Sequence, residues 1–364
     1  MISRFVASAL FCMSLTGAVF GFQATKPATN ESAGHSAVAS SSEPKLAVVS
    51  SVDLPSEIAQ EFGPPLRCDH EGNLYLHGEK FGMSGFRKFN PKGERVATFD
   101  PNPDSKVKAK HSLTFALHEG ELYTLVFSDD TIRYIFVYGS DGKYKSTLKL
   151  DPGFRTIWDP RALGVFKSGE MLISGTRTMR NADKEIIEVP FTGLFKADGT
   201  LIKEIRLDDD AQLHQQAQAG DSRYTTPGLF GVNRAIDFSQ TSAGEDGNIY
   251  LMRWTSPAII YVISPSGEVI RRLSVAAGDD FATPMTMHVS GRQIAVLFMH
   301  PERPETIVKI VDLEGNEIST FTASSKDAVR LGGALACYMS DQNRFTFLST
   351  TKDQRLRFTF AEPR

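Results

Sequence analysis

The stretch that decides the fold is "EDGNIYLMRW", residues 245–254, which describes a tight turn followed by a strand. Asp-Gly is a frequent hairpin turn because glycine adopts a positive φ without steric cost. Looser copies of this stretch occur as "HEGNLYL" at 70–76 and "HEGELYT" at 118–124. A turn and a strand that recur along one chain indicate a fold built from similar units.

Two kinds of turn mark each unit, and each turn lies between apolar runs. The first kind occurs at 70–73, 118–121, 167–170, 245–248, 289–292 and 340–343. The second kind occurs at 90–94, 140–143, 197–200, 265–268 and 313–316. Each unit therefore consists of strand, turn, strand, loop, strand, turn and strand, which predicts a four-stranded antiparallel sheet.

The strands differ in polarity according to their place in the unit. Middle strands such as "IAVLFMH" (294–300) are apolar throughout, whereas fourth strands such as "VIRRLSV" (269–275) alternate with charged residues that suit a solvent edge. Six units of about 50 residues, the length of a propeller blade, account for residues 45–364. The sequence thus predicts an all-β, six-bladed β-propeller, with a β-sandwich or a seven-bladed ring as the alternatives.

The two ends of this region predict how the ring closes. The last unit, 334–362, contains only three strands, while "KLAVVSSVDL" (45–54) is a strand-like segment without a unit of its own. We expect this N-terminal strand to complete the last blade, because an open ring would expose an unpaired strand edge.

Residues 1–24 are typical of a secretory signal, since Arg4 precedes an apolar run from Phe5 to Phe22. Residues 25–44 are rich in Ser, Ala and Thr, which predicts a flexible linker. We therefore expect an exported protein, periplasmic or extracellular. The membrane would be a partner only if the signal segment stays uncleaved.

Cys68 and Cys337 fall on the first strands of blades one and six, which become neighbours when the ring closes. Export allows a disulfide between them. However, inner strands of neighbouring blades are not hydrogen-bonded to each other, and Cα atoms more than about 7 Å apart cannot be bridged. A disulfide and two buried free thiols both remain as alternatives.

The unit "DGNIYL…IIYVISPSGEVIRRL" at 246–273 resembles the six-bladed propellers of the NHL-repeat and TolB-like type, and weaker copies extend the resemblance from residue 45 to the end. The resemblance implies the architecture. It leaves the activity open, because such propellers include lyases, lactonases, sensor domains and binding scaffolds.

Composition and motifs bear on whether the protein binds nucleic acid, a cofactor or a metal. The 364 residues carry a net charge of −3, which gives no electrostatic reason to expect nucleic acid as a partner. The turns "HEGNL" and "HEGEL" begin like a zinc motif but lack its second histidine. The sequence predicts no cofactor and no metal site.

Topology places the candidate site. In such a propeller both turns of each blade lie on one face, here named the turn face, while the loops between second and third strands and the links between blades lie on the opposite loop face. The long connections all fall on the loop face, where we expect binding. The polar residues predicted at the loop-face ends of second strands are His77, Asp129, Arg177, Arg253, His300 and Lys352.

Both tryptophans of the chain are predicted on this face. Trp254 follows Arg253, and Trp158 lies between Arg155 and Arg161 in the link "FRTIWDPR". Tryptophan beside arginine is common at binding hot spots. The alternative is a ring of polar strand ends that only meets solvent.

Two functions fit these observations. The favoured hypothesis is an exported scaffold that binds a protein, peptide or glycan through the loop face. The alternative is a hydrolase or lyase, lactonase-like, with a metal-dependent site at the mouth of the channel. The scaffold is favoured because the sequence offers no cluster of histidines and carboxylates for a metal.

Overall fold

The computed structural model describes residues 45–55, 62–78, 85–128, 132–180, 182, 184, 186–218, 234–279, 281–300, 306–323, 334–353 and 355–364. The chain separates into two units, Met1–Ser42 and Glu43–Arg364, and every described residue belongs to the second. The predicted signal and linker therefore lie outside the described residues. Within the described part, none of the helices has the length and apolar character needed to cross a bilayer.

The described residues form six four-stranded antiparallel sheets arranged as the blades of a propeller, as predicted. Blade 6 combines the first strand with the last three: β1 (Leu46–Asp53), β22 (Ala334–Met339), β23 (Arg344–Thr350) and β24 (Leu356–Pro363). Blades 1 and 2 consist of β2 (Phe62–Cys68), β3 (Leu74–Gly78), β4 (Phe86–Phe89), β5 (Arg95–Phe99), β6 (Ala109–His118), β7 (Glu121–Ser128), β8 (Arg133–Tyr138) and β9 (Tyr144–Lys149).

Blades 3 to 5 follow in the same order along the chain. They consist of β10 (Trp158–Val165), β11 (Met171–Arg180), β12 (Ile186–Phe195), β13 (Leu201–Glu204), β14 (Gln240–Ala243), β15 (Ile249–Arg253), β16 (Ala258–Ile263), β17 (Val269–Val275), β18 (Thr283–Ser290), β19 (Gln293–Met299), β20 (Thr306–Asp312) and β21 (Glu317–Ala323). Two helices, α1 (Asp210–Gln218) and α2 (Arg234–Asp237), lie in the link between blades 3 and 4. The sequence pattern predicted a loop there.

The turns depend on residues that tolerate a left-handed backbone. Gly72 and Gly247 have φ angles of 77° and 82° in the first turns of blades 1 and 4. Blade 6 has no glycine at this point and uses Asn343, with φ 47°. Glycine and asparagine are the residues that adopt this conformation at least cost, so the recurring turn motif sets the strand boundaries.

Each blade buries its faces against its two neighbours. Among the described residues, six hydrophobic clusters each join one pair of adjacent blades, so that the ring is complete. In the cluster between blades 6 and 1, for example, the rings of Phe89 and Phe358 lie 6.2 Å apart at 76°. A further small cluster of Leu213, Ala235 and Ile236 joins the two helices.

The predicted closure of the ring is confirmed. Strand β1 pairs with β24 in antiparallel register from Leu46 opposite Pro363 to Asp53 opposite Arg357. The side chains of Leu46 and Leu54 are buried. Arg357 adds an exposed ion pair, with Nη2 donating to Asp53 Oδ2 over 3.0 Å.

The structure joins Cys68 and Cys337 by a disulfide, with the two Cα atoms 5.4 Å apart. The bond connects β2 of blade 1 to β22 of blade 6, inside the hydrophobic cluster between these blades. It therefore lies at the same junction that β1 and β24 close by hydrogen bonds.

Strand β1 should be essential for stability, whereas residues 25–44 should not. We expect chains that begin at residue 25 and at residue 45 to melt at similar temperatures. A chain that begins at residue 55 should melt much lower or aggregate, because β24 loses its partner and Leu46 and Leu54 leave the core. Thermal unfolding followed by circular dichroism distinguishes these cases. Equal melting of all three chains would show that β1 contributes nothing to the ring.

The disulfide predicts a redox dependence of stability. In a chain that begins at residue 25, titration in denaturant should find no free thiol before reduction and two after it. Reduction should lower the free energy of unfolding by about 2–4 kcal/mol, since the bond closes a long loop in the unfolded chain. The double variant Cys68→Ala, Cys337→Ala is the control and should not respond to reductant. Two titratable thiols in the untreated protein would contradict the bond.

Candidate functional site

The predicted site residues lie near the strand ends where the topology placed them. His77 belongs to β3, Arg177 to β11, and Arg253 is the last residue of β15. His300 directly follows β19. Asp129 lies outside the described residues. Antiparallel order thus brings the described candidates toward one face, the loop face.

Burial separates these residues into two groups. One group is buried in the fold and consists of His77, Trp158, Arg253 and His300. The other group is at least partly exposed to solvent and consists of Arg155, Arg161, Arg177 and Trp254. The structure therefore does not present the candidates as one open ring.

Arg253 has an exposed fraction of 0% and connects three parts of the fold. Its Nη2 donates to Asp210 Oδ1 over 2.8 Å, and its Nη1 donates to Ser174 Oγ over 3.2 Å. Asp209 Oδ1 lies 3.9 Å from its Nε. Because Asp210 begins α1 and Ser174 belongs to blade 3, Arg253 holds the helix and two blades together.

Trp158 is part of the core between blades 2 and 3. Its ring centroid lies 5.8 Å from that of Phe191 and 5.9 Å from that of Phe195. Arg177 covers the same group from outside, with its guanidinium 5.5 Å from the Phe191 ring and an ion pair of 3.0 Å to Glu204. Trp158 and Arg177 therefore pack in or against the core and contribute to the stability of the fold.

The two buried histidines among the candidates, His77 and His300, have different surroundings. His77 is stacked on Phe86 at a centroid distance of 4.6 Å, and burial lowers its pKa to about 4. It is therefore neutral at physiological pH. His300 Nε2 lies 3.8 Å from Asp279 Oδ2 and its ring contacts Phe281.

A cluster that the sequence pattern did not predict surrounds Arg161. Arg161 Nη2 donates to Asp159 Oδ2 over 2.6 Å, and its Nε lies 3.3 Å from Asp237 Oδ1. Glu188 at the start of β12 accepts a hydrogen bond from Thr176. Asp159, Arg161, Glu188 and Asp237, here named the blade 3–4 cluster, interact electrostatically and combine three carboxyl groups with one guanidinium.

The local structure explains how these four residues meet. A bulge at Arg161 interrupts the pairing of β10 with β11 between Pro160 and Ala162. Helix α2 ends at Asp237 and packs against β11. The contact between a strand bulge and a short helix is a tertiary feature, so spacing along the chain carried no signal for this cluster.

Burial raises the pKa of two carboxyl groups in the cluster, those of Asp237 and Glu188. It raises the pKa of Asp237 to about 7, because desolvation and the nearby carboxyl groups of Glu188 and Asp159 outweigh the attraction of Arg161. The pKa of Glu188 is also raised, again mainly by burial. The cluster therefore changes its charge close to neutral pH.

Large apolar side chains are exposed in two places among the described residues. One group lies on the outer strands of the blades, where single exposed side chains are ordinary. The other lies on the loop face of blades 3 to 5 and consists of Ile157, Met179, Ile186, Phe238 and Phe281. The exposed fractions of Ile157, Ile186 and Phe281 are 70%, 68% and 71%. Within the described part, the turns of the turn face themselves expose none.

Trp254 belongs to this apolar group. Its ring lies 5.3 Å from that of Phe238, and its backbone N–H donates to Ala235 O in α2 over 3.0 Å.

In the part of the chain that the structure describes, no three His, Cys, Asp or Glu side chains are placed to hold a metal ion together.

Comparisons with known proteins concern the fold. No family model matches the chain, and no curated protein is similar to it in sequence. The PQQ-bound aldose sugar dehydrogenase of Streptomyces coelicolor is similar in structure, with 10% identity, a TM-score of 0.46 and coverage of 88% of this chain and 99% of that one. A protein of unknown function from Dyadobacter fermentans has 12% identity and a TM-score of 0.45, over 88% and 100% of the two chains. At such identities the likeness is one of fold alone.

The raised pKa of Asp237 predicts a pH dependence of stability. The folded chain holds this proton more tightly than the unfolded chain, so the stabilisation is complete below about pH 4 and is lost as the pH rises to about 7. Relative to Asp237→Asn, the free energy of unfolding of the wild type should fall over this range by at most about 1.4 kcal/mol per pH unit.

Urea denaturation at a series of pH values measures this difference. Asp341→Asn, on the exposed first turn of blade 6, is the control and should follow the wild-type profile. Parallel profiles of the wild type and Asp237→Asn from pH 4 to pH 8 would contradict the shift.

Proposed function

We propose that the protein is an exported propeller scaffold that binds a protein, peptide or glycan through the loop face of blades 3 to 5. The observation that carries the proposal is the concentration of exposed apolar side chains on this face. Ile157, Ile186 and Phe281 project into solvent there, whereas the described turns of the turn face expose no large apolar side chain. Exposed apolar side chains grouped on one face of a rigid scaffold favour a binding site there.

The polar residues of the same face support this function. Arg155 is exposed, and Arg161 and Arg177 reach solvent beside the apolar group. An apolar centre with a polar rim is the usual anatomy of a protein interface. Export and a relationship to NHL-repeat or TolB-like propellers remain part of the proposal and rest on the signal-like N-terminus and the recurring turn-and-strand unit.

A hydrolase or lyase at this face is the second candidate, and one observation favours it. Asp237 has a pKa of about 7 and lies in a partly open cluster with Arg161. A carboxyl group that titrates near neutral pH is suited to general acid–base catalysis. Turnover of a substrate that Asp237→Asn abolishes, with binding retained, would support this candidate.

The exposed apolar residues should determine binding. A pull-down from the native extract and a glycan array identify a ligand, and its affinity for purified variants is then measured by calorimetry. Ile157→Ser, Ile186→Ser and Phe281→Ser should each weaken binding about tenfold or more, since each removes apolar contact area. Their melting temperatures should stay close to that of the wild type because these side chains lie in solvent.

Matched controls come from the outer strands. Ile202→Ser and Ile318→Ser remove side chains that are also exposed, at 45% and 51%, and should leave binding unchanged. Trp158→Ala and Arg253→Ala are unsuitable because they remove buried core contacts and should destabilise the fold. If the outer-strand variants weaken binding and the loop-face variants do not, the loop face is not the binding surface.

A further inference from the structure

A cavity of about 120 Å³ lies at the centre of the ring. The inner strands of all six blades line it, so it belongs to the axial channel. The polar side chains of its wall that matter here are Arg67, Thr241, Ser242 and His288. Since a water molecule occupies about 30 Å³ in the liquid, the cavity has room for a small ion and its hydrogen-bond partners.

Arg67 crosses this channel from blade 1 to blade 4 on the opposite side. Its Nη2 donates to Thr241 Oγ1 over 3.2 Å, and its Nη1 donates to the carbonyl oxygen of Thr241. Its Nε donates to Phe115 O over 3.0 Å. These three bonds use three of the five N–H groups of the guanidinium, so two remain for a further acceptor.

The partners of Arg67 are all neutral. Arg67 is partly buried. Lys88, Arg253 and Lys309 are buried, and each of them pairs with a carboxylate, over 3.0, 2.8 and 2.9 Å respectively. Among the described residues, no carboxylate forms an ion pair with Arg67. The channel therefore holds a positive charge that no carboxylate of the described residues balances, and its partial burial favours a counter-charge.

The wall of the cavity offers one further donor. Ser242 Oγ accepts the backbone N–H of Val289 over 3.1 Å, which leaves its hydroxyl hydrogen to donate. The hydroxyl of Thr241 already donates to Leu163 O. A guanidinium with two N–H groups to spare and a hydroxyl that lines the same cavity form a donor set suited to an anion.

We propose that the axial cavity binds a small inorganic anion, of a size between chloride and phosphate, against Arg67 and Ser242. The anion supplies the missing counter-charge and links the inner strands of blades 1 and 4 through Arg67. Because it binds only the folded ring, it stabilises the protein in proportion to the logarithm of its concentration. The site is separate from the loop-face surface and does not depend on the ligand bound there.

His288 lines the same cavity, and its pKa depends on the charge of Arg67. Its Nε2 bonds to Leu335 O over 3.0 Å, and burial together with the charge of Arg67 lowers its pKa to about 4. A bound anion neutralises the charge of Arg67, so the pKa of His288 should rise. NMR titration of the imidazole thus gives a second readout besides stability.

The test uses protein dialysed into buffer with only a bulky organic anion, gluconate. The melting temperature is then measured while chloride or phosphate replaces gluconate at constant ionic strength. We expect a saturable rise for at least one small anion in the wild type and none in Arg67→Met. Ser242→Ala, a milder change, should weaken the apparent affinity about tenfold. Arg292→Met, exposed on the turn face, is the control and should behave as the wild type.

Equilibrium dialysis with the same anion determines the stoichiometry, which should be one per chain. It keeps the test decisive if Arg67→Met does not fold, because the wild type and Ser242→Ala then suffice. Absence of saturable binding in the wild type would mean that water alone fills the cavity and would overturn the proposal. Unchanged binding in Arg67→Met, or in Ser242→Ala when only that variant folds, would overturn it as well.

Discussion

Closure of the ring is the constraint on which the rest of the structure depends. A blade is a thin sheet that can bury its two faces only against its neighbours, so the first and last blades each leave one face exposed until they meet. Two contacts of different kinds act at this junction. The β1–β24 ladder supplies backbone hydrogen bonds, and the Cys68–Cys337 bond adds a covalent link inside the core.

The closed ring accounts for the roles of the residues near the loop face. Residue types that are common at binding hot spots are used here to hold the scaffold: Trp158 fills the core between two blades, and Arg253 fixes helix α1. Since these side chains point inward, the apolar surface that this face exposes is formed by residues such as Ile157, Ile186 and Phe281.

The repeating architecture could be predicted from the sequence, because turns and strands are local. Gly247 marks a turn through its own backbone freedom, and alternation along 269–275 marks an outer strand. Burial at strand ends could not be predicted in this way, since it depends on what packs above the strand. Arg253 pairs with Asp210 at the start of helix α1. Asp237 reaches Arg161 because α2 ends beside a bulge in β10. Neither contact produces a periodic pattern of residues in the sequence.

The way the two ends of the domain meet determines how it would respond to a pulling force. Leu46 of β1 lies opposite Pro363 of β24, so tension applied at both ends opens this ladder one pair at a time, as a zipper opens, and meets little resistance. The disulfide then takes the load, because everything between Cys68 and Cys337 lies within one covalent loop. Under tension the protein would lengthen by its outermost segments alone, while blades 2 to 5 carry no force.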